Sequence, residues 1–166
     1  MIVIHRTRLT GLAALALMLS FPGVSQANTP YKLANDSRCS LGNQEAGIQW
    51  SDVTGNAGGA TECWGAYEGN NSDFEKGGFE ISSTADDPFN GLQFSFLSKV
   101  DLGSNPDYSG KDIGLSIDPS DGSSGSGNWA FDPDKFTDRD PFLVVLKQAK
   151  KPYGFGVWMF GGSPDS

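Results

Sequence analysis

Carboxylates are the most concentrated reactive groups in this sequence, and they gather in loops. The segment DPDKFTDRD contains four of them, Asp132, Asp134, Asp138 and Asp140. Because Ca²⁺ takes six to eight oxygen ligands from carboxylates, carbonyls and water, this loop is a candidate calcium site. Asp118 and Asp121 lie in the preceding glycine–serine loop. Neither stretch has EF-hand spacing, and solvated loop acids are the alternative interpretation.

Composition excludes several kinds of catalysis. The only histidine is His5, which lies in an N-terminal segment that we predict to be removed. The mature chain would then lack Ser-His-Asp and Cys-His catalysis and histidine-ligated zinc or copper. No glycine-rich phosphate loop is present. A glycosidase needs only two carboxylates across a cleft, but the spacing of Glu62, Glu68, Glu75 and Glu80 selects no pair. We therefore predict a protein without catalytic residues.

Aromatic side chains offer a second chemistry, the stacking of sugars. The four tryptophans are Trp50, Trp64, Trp129 and Trp158. Trp129 follows a polar loop and is the candidate ligand-binding residue. Most tryptophans of a small β domain pack in the core. We expect this of Trp158, and we expect Trp64 to cover a disulfide.

The two cysteines, Cys39 and Cys63, are predicted to form that disulfide. Neither belongs to a CxxC pair or to a cluster of metal ligands. In an exported chain a disulfide is the default. Closing this loop contributes roughly 3–4 kcal/mol in the chain-entropy model.

Residues 1–27 have the order of a secretory signal peptide. Arg6 and Arg8 precede an apolar run, and small residues at Ser25 and Ala27 mark a cleavage site. The run is short for a membrane span of about 20 residues, and no later segment is long enough to span a membrane. We predict a secreted domain of residues 28–166.

The net charge of the mature chain indicates which class of partner it can bind. Removing the two leader arginines lowers the net charge from -8 to -10. An acidic chain does not make the clustered Lys and Arg contacts that nucleic acid requires. The sequence therefore predicts an extracellular protein or a binder of cations, with no nucleic acid as partner.

Short runs rich in aromatic and β-branched residues, separated by Gly, Ser, Asn and Asp, predict an all-β chain. The predicted strands are 47–54, 61–67, 78–82, 92–101, 112–117, 128–131, 142–148 and 153–160. Leu92, Phe94 and Phe96 alternate with polar residues, as in a half-buried strand. We predict an antiparallel β-sandwich, jelly-roll-like, with one disulfide. Single helical turns near Glu45 and Phe136 are the only helical candidates.

The last two predicted strands, 142–148 and 153–160, read as an apolar hairpin. Phe155, Val157 and Met159 share one face of the second strand, with Trp158 on the other. Gly154 and Gly156 predict a bend there. We expect this strand to lack a second neighbour, which leaves an aggregation-prone edge.

The order of these segments resembles the soluble part of PEP-CTERM proteins, the secreted substrates of the bacterial exosortase system. The matching pieces are the signal peptide, SDVTGNAGGATECWGAYEGN (51–70), FSFLSKVD (94–101), GNWAF (127–131) and VVLKQAKKPYGFGVWMF (144–160). Residues 161–166 contain Pro164 but no Pro-Glu-Pro motif, apolar helix or basic tail. The sequence is therefore interpreted either as a fragment lacking the sorting tail or as a tail-less secreted relative.

The resemblance implies export from a Gram-negative cell to the periplasm, the cell surface or the extracellular matrix. The implied partners are exopolysaccharide or cell-surface components. It implies no catalytic residues. We predict no cofactor, apart from the calcium ion that the acidic loop suggests. The leading hypothesis is a non-enzymatic surface or biofilm-matrix protein. The alternatives are a carbohydrate-binding module with structural calcium and, more remotely, a glycosidase.

Overall fold

A computed structural model describes residues 2–6, 29–34, 38–39, 52–55, 58–68, 72–101, 107–119, 127–132, 134–136, 141–148 and 154–161. The described elements are mostly strands, as the sequence predicts. They are β1 (Ile2–Arg6), β2 (Tyr31–Ala34), β3 (Thr54–Gly55), β4 (Gly58–Gly59), β5 (Glu62–Glu68), α1 (Ser72–Gly77), β6 (Phe79–Ser82), β7 (Gln93–Asp101), β8 (Asp107–Gly110), β9 (Ser116–Pro119), β10 (Gly127–Ala130), β11 (Phe142–Gln148) and β12 (Gly154–Phe160).

One eight-stranded sheet dominates the fold. Its strand order is β2-β6-β7-β1-β11-β12-β5, and β8 pairs with β7 as well. All neighbours are antiparallel except β2 and β6, which are parallel. Two small hairpins, β3–β4 and β9–β10, lie outside this sheet.

The sheet is rolled, because its two end strands come together. Tyr31 of β2 and Tyr67 of β5 have ring centroids 5.4 Å apart. Just beyond β2, Arg38 forms a single antiparallel bridge with Trp64 of β5. We call this junction the seam; it comprises Tyr31, Arg38 and Cys39 on one side and Cys63, Trp64 and Tyr67 on the other. The described residues make one bridge here rather than a continuous ladder.

A hydrophobic core fills the concave side of the roll. Its members come from six strands of the sheet and from the turn before β7: Leu33, Trp64, Phe79, Ile81, Leu92, Phe94, Leu143, Val145, Phe155, Val157 and Met159. Aromatic contacts run across it between distant strands. The ring of Phe155 lies 5.3 Å from that of Tyr31 and 6.4 Å from that of Phe79. This core therefore joins the two ends of the sheet.

The convex side carries two further clusters. Residues that alternate with the concave set, such as Val144 and Trp158, pack with Val53 and Ala60 beside the β3–β4 hairpin. A separate cluster joins Val100 of β7 to the segment between β8 and β9. Strands β11 and β12 are therefore buried on both faces. The alternation predicted for this strand is confirmed over residues 155–160.

A bulge in β7 allows this strand to contribute side chains to both the concave core and a convex cluster. Val3 of β1 is paired with Ser98, but the next residue, Ile4, is paired with Phe96, so Leu97 is an extra residue. An extra residue reverses the side on which later side chains point. Phe94 consequently belongs to the concave core, whereas Val100 belongs to the convex cluster.

The expectation that β12 lacks a neighbour is wrong. Strand β12 pairs with β11 on one side and with β5 on the other. The register with β5 shifts between Phe155 and Val157, at Gly156. The irregularity that the glycines predict is present, and the apolar edge is covered by a strand from much earlier in the chain.

The structure also places strands that the sequence patterns did not predict. Ile2–Arg6, within the predicted signal peptide, is a strand between β7 and β11. β2, β8 and helix α1 were not predicted either. Residues 112–115 are not a strand, so the strand predicted at 112–117 is β9, shifted toward the C-terminus. Of the two predicted helical turns, Glu45 lies outside the described residues, and Lys135 beside Phe136 is in a turn.

Candidate functional site

An open cleft lies beside β8. Its volume is about 310 Å³. The lining residues are Ser98, Tyr108, Ser109, Gly110, Lys111, Asp112, Ile113 and Leu115. We call this concavity the β8 cleft. It combines hydroxyls, one cation, one carboxylate and an aromatic ring.

Tyr108 is the most exposed large hydrophobic residue described, with 49% of its surface accessible. It lies on β8 opposite Val100 of β7. Two lining residues are joined directly, because the buried Ser98 hydroxyl donates a hydrogen bond to the Ser109 carbonyl at 3.3 Å. An exposed ring beside hydroxyl and charged groups is the kind of surface that binds a polar ligand with an apolar face.

Two glycines set the shape of this region. Gly110 has a φ of 96°, and a Cβ there would lie 2.5 Å from the Leu97 carbonyl oxygen. Gly114 has a φ of 61°, and a Cβ there would collide with Asp132. Side chains are strained at such angles and have no room. The close approach at Gly114 brings the predicted acidic loop against the end of the cleft.

An ion pair links these two segments. Lys135 Nζ lies 2.7 Å from Asp112 Oδ2, and Asp112 Oδ1 accepts a hydrogen bond from the Gly114 amide at 3.0 Å. The hydrogen bond from Lys135 and that from Gly114 lower the pKa of Asp112, and the same Asp112 bond raises the pKa of Lys135. Both side chains are exposed, so the pair is weak and open to exchange with a charged ligand.

The predicted calcium loop is only partly described. Asp132 Oδ1 accepts the Asp134 amide at 2.9 Å, and the Asp132 carbonyl accepts the Phe136 amide at 2.9 Å. Asp138 and Asp140 lie outside the described residues, as does Asp121. Within the described chain no three acidic, histidine or cysteine side chains are arranged to hold a metal. The calcium site stays a prediction.

Trp129 lies on β10, outside the β8 cleft. Its ring meets Phe131 edge-on at 5.1 Å and Phe160 at 5.5 Å, and it is half-buried. It is more exposed than Trp64 or Trp158, the other tryptophans described. Its role in ligand binding stays a prediction, and Tyr108 is the more open ring.

The disulfide between Cys39 and Cys63 is confirmed. The expected cover of this bond by Trp64 is wrong. Adjacent residues of a strand face opposite sides, so Trp64 points into the concave core while Cys63 faces the convex cluster. Trp158, the cross-strand partner of Cys63, packs instead in the convex cluster that contains both cysteines.

A charge network reinforces the seam. Arg38 Nη2 lies 2.8 Å from Asp87 Oδ2, and its Nε lies 3.4 Å from Glu62 Oε2, an ion pair without hydrogen-bond geometry. The guanidinium also stacks over Trp64 and Phe89, with its carbon 5.7 and 5.4 Å from the ring centroids. Burial raises the pKa of Glu62, Arg38 opposes that shift, and Asp87 adds to it.

Sequence reasoning missed Tyr108 because it does not belong to any regular pattern. The signal available was an isolated tyrosine in a polar run, SNPDYSGKD, which resembles an ordinary loop.

No described helix is long and apolar enough to cross a membrane. No family model, curated protein or solved structure matches this chain.

Proposed function

We propose that this chain is a non-enzymatic protein of the bacterial cell surface or extracellular matrix, exported by its N-terminal signal and similar to PEP-CTERM proteins. The observation that carries the proposal is the disulfide at the seam, between Cys39 and Cys63. Such bonds persist in oxidising compartments. The acidic charge and the lack of histidine after residue 27 support a role without catalysis.

Fractionation of a Gram-negative host that expresses the full chain tests this proposal. We expect disulfide-bonded protein in the periplasm or medium, beginning at Asn28, and co-sedimentation with exopolysaccharide. The matched control is Ala27→Arg, which blocks the predicted cleavage site and should give an uncleaved, membrane-retained precursor. Reduced protein that stays in the cytoplasm with Met1 intact would overturn the proposal.

We propose that the two outer hairpins, which pack on the convex side of the roll, are part of a second layer, as in the sandwich predicted from sequence. The clusters around Val144 and around Val100 support this, because both are buried beneath the outer segments. A structure of the whole secreted domain tests the arrangement.

A second candidate function is carbohydrate binding, which the β8 cleft favours. Tyr108 offers an exposed ring, and Ser109, Lys111 and Asp112 offer polar groups at its side. Sugars present both an apolar face and hydroxyls, and they match this combination. Structural calcium in the loop that follows Asp132 belongs to the same proposal.

Glycan-array measurements on variants show whether Tyr108 or Trp129 is the ring that contacts the sugar. If the β8 cleft binds sugar, Tyr108→Ala should weaken binding roughly five- to tenfold, for a loss of about 1 kcal/mol of ring contact. Tyr108→Phe, which keeps the ring, should retain most of the affinity. A loss with Trp129→Ala alone would move the site to β10, and no binding to any glycan would reject this function. Calorimetry with CaCl₂ tests the ion.

A further inference from the structure

The two charged residues that line the β8 cleft differ in whether their charge is already compensated. Both carboxylate oxygens of Asp112 are occupied, because Oδ2 lies 2.7 Å from Lys135 Nζ and Oδ1 accepts the Gly114 amide at 3.0 Å. Lys111, by contrast, forms no ion pair with any residue that the structure describes. A charged ligand that enters the cleft therefore meets an available ammonium and a carboxylate that already has partners.

The backbone that carries Lys111 is held in place, although the side chain is exposed. The Lys111 amide donates a hydrogen bond to the Leu97 carbonyl at 2.8 Å. The preceding residue, Gly110, approaches the same carbonyl so closely that a side chain has no room there. The rim of the cleft is thus fixed against β7, and the ammonium is presented from a defined position. Little ordering of the backbone is then needed when a ligand binds, which favours affinity.

The apolar part of the cleft lies beside the Tyr108 ring. Ile113 and Leu115, which line the cleft, are only 1% and 7% exposed and pack with Val100. Val100 is the cross-strand partner of Tyr108, so the two side chains project from the same face of the sheet. The volume of about 310 Å³ is at the lower end of the range for small-molecule sites, about 300–1,000 Å³. These dimensions suit one sugar ring with its substituents.

We propose that the β8 cleft binds an acidic sugar, with the sugar ring against Tyr108 and its carboxylate at the Lys111 ammonium. The inference rests on carbohydrate binding, the second candidate function, and adds the class of sugar. A carboxylate accepts a charge-assisted hydrogen bond from Lys111 that a neutral hydroxyl cannot match. A cationic sugar would instead be repelled by Lys111 and would compete with Lys135 for Asp112. The net charge of -8 is screened beyond about 8 Å at physiological ionic strength.

Glycans printed in matched pairs test this assignment on the full chain. Oligosaccharides of glucuronate, galacturonate and mannuronate are compared with their methyl esters, which keep the ring and remove the charge, and with neutral glycans. We expect the acid to bind roughly three- to tenfold more tightly than its ester, as for one exposed charged contact. This preference should disappear in Lys111→Met and persist in Lys111→Arg. Lys32→Met, which removes the same charge on β2, should behave as the wild type.

The outcomes separate this inference from the function on which it rests. Equal binding of acid and ester by the wild type, or an acid preference that survives Lys111→Met, would overturn the assignment and leave carbohydrate binding in place. No binding to any acid, ester or neutral glycan would reject both. Asp112→Asn, which releases the Lys135 ammonium beside the cleft, should strengthen the preference for the acid. A loss of the preference in that variant would also overturn the assignment.

Discussion

The rolled sheet is held together at two junctions, the seam and the position of β1 between β7 and β11, and they are held in different ways. At the seam a covalent bond joins Cys39 to Cys63, and the Arg38 side chain bridges Glu62 and Asp87. Between β7 and β11, strand pairing along both edges of β1 holds the roll together. The seam is built from residues outside the predicted leader, whereas β1 lies within it. The stability of the seam therefore depends on formation of the disulfide, whereas the stability of the other junction depends on whether the predicted leader is retained.

The largest effect should come from the covalent link at the seam. Replacing both cysteines, as Cys39→Ala with Cys63→Ala, should lower the free energy of unfolding by about 3–4 kcal/mol, because the unfolded chain gains freedom. Urea titration of the purified chain measures this loss. A reducing agent should bring the wild type to the same value and leave the double variant unchanged. A loss below about 1 kcal/mol would show that the ion pairs alone hold the seam.

The junction at β1 should be weakened by a proline in that strand. In the uncleaved chain, Ile4→Pro should cost about 2–3 kcal/mol, since an inner strand loses a hydrogen bond and its local geometry. The same titration measures it, with Ser25→Pro, outside the strand, as the control. Equal stability of the two variants would mean that residues 2–6 do not form a strand between β7 and β11 in solution.

Arg38 should contribute less than the disulfide but more than a surface ion pair. The Asp87 side chain is only 3% exposed, so Arg38→Met leaves a carboxylate without its partner. Because the Arg38 side chain is 26% exposed, we expect a loss of about 2 kcal/mol, below the figure for a fully buried pair. Lys32→Met, which removes the pair with Glu80 at the surface, should cost less than about 0.5 kcal/mol. Equal losses would contradict a special role for the seam.

The smallest expected effect is the pH dependence of the seam. Burial raises the pKa of Glu62 above its value in the unfolded chain, so the folded state binds this proton more tightly. Its contribution is fully present below the unfolded pKa and is lost as pH rises through the folded pKa. The melting-temperature difference between wild type and Glu62→Gln should therefore favour the wild type more at pH 4.5 than at pH 7. The opposite trend would show that Arg38 dominates over burial.

The sequence predicted the parts of the fold whose side chains alternate or run continuously apolar. Strands β5, β6, β7, β11 and β12 were found because their burial follows a regular pattern. The roll was not predictable, since β2 and β5 meet through pairings between distant residues that leave no local signal. β1 was missed because an apolar strand and a signal peptide have the same composition. The β8 cleft depends on Tyr108, a single exposed ring without a motif.

The pairing of the sheet has a consequence for how the chain reaches its folded state. Strands β11 and β12 are central, yet their outer neighbours, β1 and β5, come much earlier in the chain, and Ile2 is paired with Val145. Pairings over such distances close slowly. The complete sheet cannot assemble before β12 has been synthesised, and the strands that pair with β11 and β12 stay open to misassociation until then. The order of the strands along the chain therefore delays closure of the roll to the end of synthesis.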